Sequence, residues 1–274
     1  MTEPTPTPEP EPQPEPQPTP EPQPTAEPEA GDTQVPSGLV SAVVNLVGTG
    51  AVALGAYTIA ELTAVDAVVD FLESRPSDEV LAEAVRSLAA RQLLLAGDGP
   101  GKIEVRGDLG IAVTFQRRAR LVLDARVAGT ESGEAWRMLV LPQPERICMI
   151  VRIDALGVHE LSLHTLDETL GMVADWLPRG SWADADGHAD PDAVLAAAER
   201  SALLTAVHYS AVGSAETAES STDLVLARRG GRLYAFTRDP QDATRLVPST
   251  RGRGQGLREI VAALLDQPMT KVAK

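Results

Sequence analysis

The sequence predicts an α+β fold in which two pseudo-symmetric halves, each a mainly antiparallel sheet with packed helices, follow a disordered Pro-rich tail. Three observations carry that expectation. From Arg120 onward, short apolar or alternating runs separated by turn residues read as strands. Each set of four such runs closes with an amphipathic helix. The layout around "LVLPQPERICMIVRID" (139–154) then returns roughly 85 residues later around "ARRGGRLYAFTRD" (227–239). The chain divides accordingly into a tail (1–36), an N-terminal portion of the body (37–118), a first sheet-plus-helix unit (119–180) and a second (181–274).

The tail alternates proline with Glu, Thr or Gln. Proline lacks an amide donor and fixes its own φ, so neither helix nor sheet propagates through it. Almost no apolar side chain is present to offset the entropy of ordering. A solvating arm is the plain expectation, and a Pro-binding partner is the alternative. The tail lacks the positive start and apolar centre of a signal peptide. Of the net charge of −15, eight negative charges precede Gln34, so the rest of the chain is only mildly acidic. Such a surface offers phosphate backbones no general attraction, and nucleic acid is not expected as a partner.

Segment 38–60, "GLVSAVVNLVGTGAVALGAYTIA", carries no formal charge and is long enough to span a bilayer. Its four glycines make it weakly apolar, and no basic residue flanks it before Arg75. It reads better as a short helix ending near "GTG" and a buried strand near residues 51–57. Leu62, Val65, Val68, Val69 and Leu72 then repeat at helical spacing, as do Val80, Leu81, Ala84, Leu88 and Leu93 after a start at Ser77. "GDGPGK" is a turn and "KIEVRG" a strand. Helix, helix, turn and strand together resemble a winged helix, the basis of a regulator reading. The candidate recognition helix, 77–91, carries Asp78, Glu79 and Glu83 against Arg86 and Arg91, the wrong balance for a DNA groove.

In the first unit, Leu121, Leu123, Ala125 and Val127 alternate as a half-buried strand. "TESGE" is a polar turn. "AWRMLVLP", "RICMIVRI" and "GVHELSLHT" are further strands, and 166–177 is a helix ended by Pro178 and Gly180. In the second, Asp190 and Pro191 start a helix over 192–201. "LLTAVHYSA" is a strand, "GSAETAESS" a polar turn, and "TDLVLAR", "RLYAFTR" and "TRLVPST" complete the sheet before a helix over 257–265.

Chemistry is sparse. His159, His164, His188 and His208 have no metal-site spacing. Asp184, Asp186, Asp190 and Asp192 lack the remaining ligands of a calcium loop and read as linker and helix cap. "RGRGQG" (251–256) reads as a basic turn. Trp136, Trp176 and Trp182 are core or rim anchors. Cys148, the only cysteine, is a buried small hydrophobe; no intrachain disulfide is possible, which agrees with a cytoplasmic location. No phosphate loop, nucleophile elbow or Ser/His/Asp set occurs, so the expectation is a non-enzyme with no catalytic, cofactor-binding or metal residue. The candidate partner contacts are Glu131, Glu134, Glu216 and Glu219, on the two acidic turns. Their plainer reading is solvated turn residues.

The pattern of "RLVLDARV", "WRMLVLP", "ICMIVRI" and "GVHELSLHTLDETLGMVADWLP", with its echo in "STDLVLARRGGRLYAFTRD…TRLVPS…GLREIVAALLDQP", resembles the EspG family over about residues 55–268. Its Ala, Arg, Asp and Val richness with few Lys matches the high-GC genomes in which that family occurs. The resemblance implies a pseudo-twofold α+β fold and a cytosolic chaperone of the actinobacterial type VII secretion system. Such a chaperone holds the helical tip of a secreted protein pair in solution. The leading expectation is therefore a chaperone or adaptor whose partner is another protein, of the helical secretion-substrate kind. The alternatives are a winged-helix regulator and a scaffold anchored to a membrane through residues 38–60.

Overall fold

Helix α1 (Ser37–Val47) turns through "GTG" into β1 (Val52–Thr58), so the uncharged segment becomes a surface helix and an edge strand. No helix among the described residues is long and apolar enough to cross a membrane. The computed structural model describes residues 37–67, 76–97, 102–183, 189–212, 215–249 and 255–266. The tail, the expected helical residues 68–72 and most of "RGRGQG" lie outside these.

Thr58 and Glu61 form a capping box that starts α2 (Ile59–Ala64). Ser77 caps α3 (Asp78–Ala90), which buries Ala84 and Leu88 but leaves Val80 exposed, contrary to its apolar spacing. A small hairpin, β2 (Leu94–Ala96) and β3 (Ile103–Val105), leads into α4 (Gly107–Arg118). Then come β4 (Leu121–Ala128), β5 (Arg137–Pro142), β6 (Ile147–Ile153) and β7 (Val158–Thr165). A second capping box, Thr165 with Glu168, starts α5 (Leu166–Trp176). The two-residue β8 (Ser181–Trp182) precedes α6 (Pro191–Ala196), capped by Asp190. Helix α6 has six residues and ends five positions before the expected 201, because Arg200 already belongs to β9 (Arg200–Val212). The chain ends, as described, with β10 (Ala215–Arg229), β11 (Arg232–Arg238), β12 (Leu246–Pro248) and α7 (Leu257–Leu265).

One sheet joins both units in the order β1-β7-β6-β5-β4-β9-β10-β11-β12, with β8 beside β11. Reading outward from the central β4–β9 pair, each side is a meander of four strands in sequence order. Helix α5 follows the first meander and α7 the second. The two helices lie side by side on one face and cover Leu123, Ala125, Ile150, Leu204, Ala206, Leu224 and Leu226. On the opposite face, α1, α2 and α4 cover Leu139, Met149, Val151, Leu161 and Leu163. The short α6 covers Ala227 and Phe236 at the far side. Strand β4 is therefore buried on both faces rather than half-buried, because it lies at the middle of the sheet.

Candidate functional site

Among the described residues, the apolar clusters beneath the two helical layers on that second face are separate. Alternation along β9 sends Ala202, Leu204 and Ala206 under α5 and α7, so Leu203, Thr205 and Val207 point the other way. All three are only half-buried, and Leu203 and Val207 belong to none of the buried apolar clusters. A central strand of a large sheet is normally covered on both sides. Among the described residues, this side of β9 floors a groove between the apolar cluster covered by α1, α2 and α4 and the one covered by α6. Three strands abreast, β4, β9 and β10, span about 10 Å, close to the width of one α-helix.

A polar row crosses this floor. Asp124, Thr205 and Asp223 are direct cross-strand neighbours. Arg137 grips Asp124 through two bonds, Nε to Oδ1 at 2.8 Å and Nη2 to Oδ2 at 2.9 Å. Arg126 adds bonds of 3.1 and 2.9 Å to Oδ2. The Asp124 and Arg137 side chains are 7% and 9% exposed, so this is a buried, doubly hydrogen-bonded pair. Across the row, Asp223 accepts from Thr205 Oγ1 at 2.8 Å and pairs with Arg238. Arg126 and Arg238 each expose about half of their side chains, 45% and 50%, at the two margins of the groove. Among the described residues, the guanidinium groups of Arg126, Arg137 and Arg238 are arranged around the carboxylates of Asp124 and Asp223.

The carboxylates expected to meet a partner fare differently. Glu131 is exposed on the β4–β5 loop, as its turn chemistry predicts. Glu134 is instead half-buried and bound by Arg200, whose Nη1 donates to its Oε2 at 2.9 Å. The hydrogen bond from Arg200 is the main reason the Glu134 carboxyl titrates below its usual range. Arg200 also donates to the carbonyls of Gly129 and Trp176, tying the loop and the end of α5 to the start of β9. Glu134 is thus a structural latch. Glu216 and Glu219 do not lie on a turn, contrary to expectation. The β9–β10 hairpin runs on through "AETAESS", with Glu216 opposite Ala211 and Glu219 at a register shift between Ala218 and Ser220. Polar β-branched and small residues here suit a two-stranded ribbon, and turn-type composition alone does not distinguish the two.

Asp184, Asp186 and His188 lie outside the described residues; Cys148, His159, His164 and the three tryptophans are structural. Cys148 is fully buried, and burial pushes its thiol pKa up to about 11, so it is a poor nucleophile. His159 is buried and bonded to the Gly157 carbonyl at 2.9 Å, and its pKa is lowered chiefly by burial. His164 contacts Ser162 Oγ at 2.9 Å. Among the described residues no group of three or more His, Cys, Asp and Glu side chains is placed to hold a metal. Trp136, Trp176 and Trp182 are rim anchors, each donating its indole N–H to a backbone carbonyl at 2.9 to 3.0 Å.

The groove residues Leu203, Thr205, Val207 and Asp223 escaped the sequence reading, but a signal existed. Asp124 and Arg137 interrupt two otherwise apolar strands, "RLVLDARV" and "AWRMLVLP", and opposite charges in neighbouring buried strands point to each other. In comparisons with known proteins, no family model and no curated sequence matches the chain.

Proposed function

We propose that this protein is a non-enzymatic chaperone or adaptor that holds a helix of another protein in the groove over β9. One observation carries the reading: among the described residues, Leu203, Thr205 and Val207 of the central strand are only half-buried between two helical layers, over a floor one helix wide. Leu203 and Val207 supply apolar contact, and the paired carboxylates add no uncompensated negative charge. The half-exposed guanidinium groups of Arg126 and Arg238 favour a client helix with an apolar stripe flanked by Asp or Glu. The resemblance to EspG chaperones of type VII secretion agrees with such a client and makes a secreted helical pair the first candidate. The regulator reading is weaker, since α3 exposes Asp78, Glu79 and Glu83, and Arg86 is paired with Glu83.

Co-expression of the full chain with helical secretion substrates from the same genome tests this directly. The expected result is a complex stable to size exclusion, lost at least tenfold in yield with Leu203→Glu or Val207→Lys, each unfolding thermally near the parent. Retention of the client by both variants overturns the groove as its site. A chain that captures no substrate under gentle conditions overturns the chaperone reading itself.

A further inference from the structure

Arginine in this protein is mostly paired. Among the described residues Arg86, Arg91, Arg152, Arg179, Arg200 and Arg228, for example, each sit in an ion pair. Among the same described residues Arg117, Arg120 and Arg146 sit in none, and all three are exposed. They lie at one corner, where the last turn of α4 meets the β5–β6 turn. Gln143 Nε2 donates to the Phe115 carbonyl at 3.0 Å, and Arg118 pairs with Glu145, so the two segments are in direct contact. Arg120 Nη1 donates to the carbonyls of Arg117 and Ala119 at 3.2 and 3.3 Å, which holds its side chain against the helix end. Arg146 sits in a tight turn closed by its own N–H on the Gln143 carbonyl.

A basic last turn complements the negative end of a helix dipole, which accounts for Arg117 and Arg118. It does not account for Arg120, past the helix end, or for Arg146 on another element. Glu145 is the one carboxylate of residues 115–120 and 143–146, and Arg118 already holds it. We propose that this corner binds a short acidic segment of a partner protein, whose Asp or Glu carboxylates take the guanidinium groups of Arg117, Arg120 and Arg146. A guanidinium presents paired donors that match a carboxylate two by two. A long phosphate backbone fits less well. The chain carries a net charge of −15, and exposed Asp167 and Glu168 bound the corner where Leu166 N donates to the Arg146 carbonyl. The corner lies past Val207, where Tyr209 N meets the Arg120 carbonyl, so the segment binds outside the groove floor.

The test titrates the full chain at low salt with a fluorescent twelve-residue peptide of alternating Glu and Ser. The expected result is saturable binding, weakened at least tenfold by Arg117→Gln, Arg120→Gln and Arg146→Asn together. Asn suits position 146, where φ is +59°. Leu203→Gln leaves binding intact, as does Arg229→Gln with Arg245→Gln, which removes exposed arginines elsewhere. Thermal unfolding checks the triple variant; if its midpoint falls, Arg146→Asn alone, melting with the parent, is expected to weaken binding at least threefold. No binding at low salt overturns the proposal. Equal weakening by the Arg229 and Arg245 variant also overturns it, because net charge alone then explains the affinity. So does loss of binding in Leu203→Gln, which moves the peptide into the groove. A single-stranded DNA or RNA of twelve nucleotides that binds more tightly than the peptide overturns it too, by assigning the corner to phosphate.

Discussion

Asp124 shows how much one side chain decides in this protein. It is an acid on the middle strand of the sheet, and only the double bond from Arg137 and the support of Arg126 compensate its burial. Asp124→Asn removes the carboxylate that Arg137, its side chain 9% exposed, grips through two bonds. Removal of one partner of a buried pair costs about 3 kcal/mol. Urea denaturation of Asp124→Asn is expected to return a loss of that size. A loss under about 1 kcal/mol, the range of exposed pairs, counts against a buried pair. The same scale explains the misread turn carboxylates. Glu131 and Glu134 are three residues apart on one loop, yet only Glu134 lies within reach of Arg200, which comes from 66 positions along the chain.

At the scale of elements, caps and turns follow local chemistry closely. Ser77, Thr165 and Asp190 each accept a hydrogen bond from the first turn of the helix they precede. Gly230 and Gly231 adopt φ of +60° and +72°, the mark of a tight two-residue hairpin turn, as "RRGGR" predicts. Gly129 is a different case, because nothing in its neighbourhood announces it. Its φ is +77°, and a Cβ there would lie 2.5 Å from the Glu199 carbonyl oxygen. That oxygen belongs to the start of the second half, so the loop leaving β4 passes backbone to backbone against it. Gly129→Ala is expected to lower stability by about 2 kcal/mol, from the disfavoured φ and the displaced contact. Thermal unfolding measures this directly, and an unchanged midpoint is incompatible with the close approach. Strand lengths are the least legible feature at this scale. Helix α6 stops early and β10 starts early because strand pairing with β9 claims residues whose own preferences are weak.

The whole molecule is held together by the β4–β9 pair. Eight consecutive residues of β4, Leu121 to Ala128, pair with Ser201 to His208, and the α5–α7 layer spans the junction. Each half therefore presents an apolar, unpaired edge when the other is missing. A chain ending at Gly180 is expected to lack a cooperative thermal transition and to aggregate. A soluble fragment that melts cooperatively means that the halves fold independently. The same arrangement creates the groove. Among the described residues, α1, α2 and α4 lie over the first meander on its second face and one short helix over the second, and the strand beside the junction is only half-buried there.

Much of this architecture was readable in the order of residues. Eight strands of two matching meanders, their closing helices, the helix caps and the buried state of Cys148 all follow from local patterns of polarity, Gly and Pro. These depend on neighbours within a turn or a pleat, which the sequence lists directly. Which meander edges meet, which acid finds an arginine, how far the β9–β10 ribbon runs and which face stays uncovered depend on contacts between residues tens of positions apart. Local pattern carries no record of those distances; packing of the halves against each other decided them.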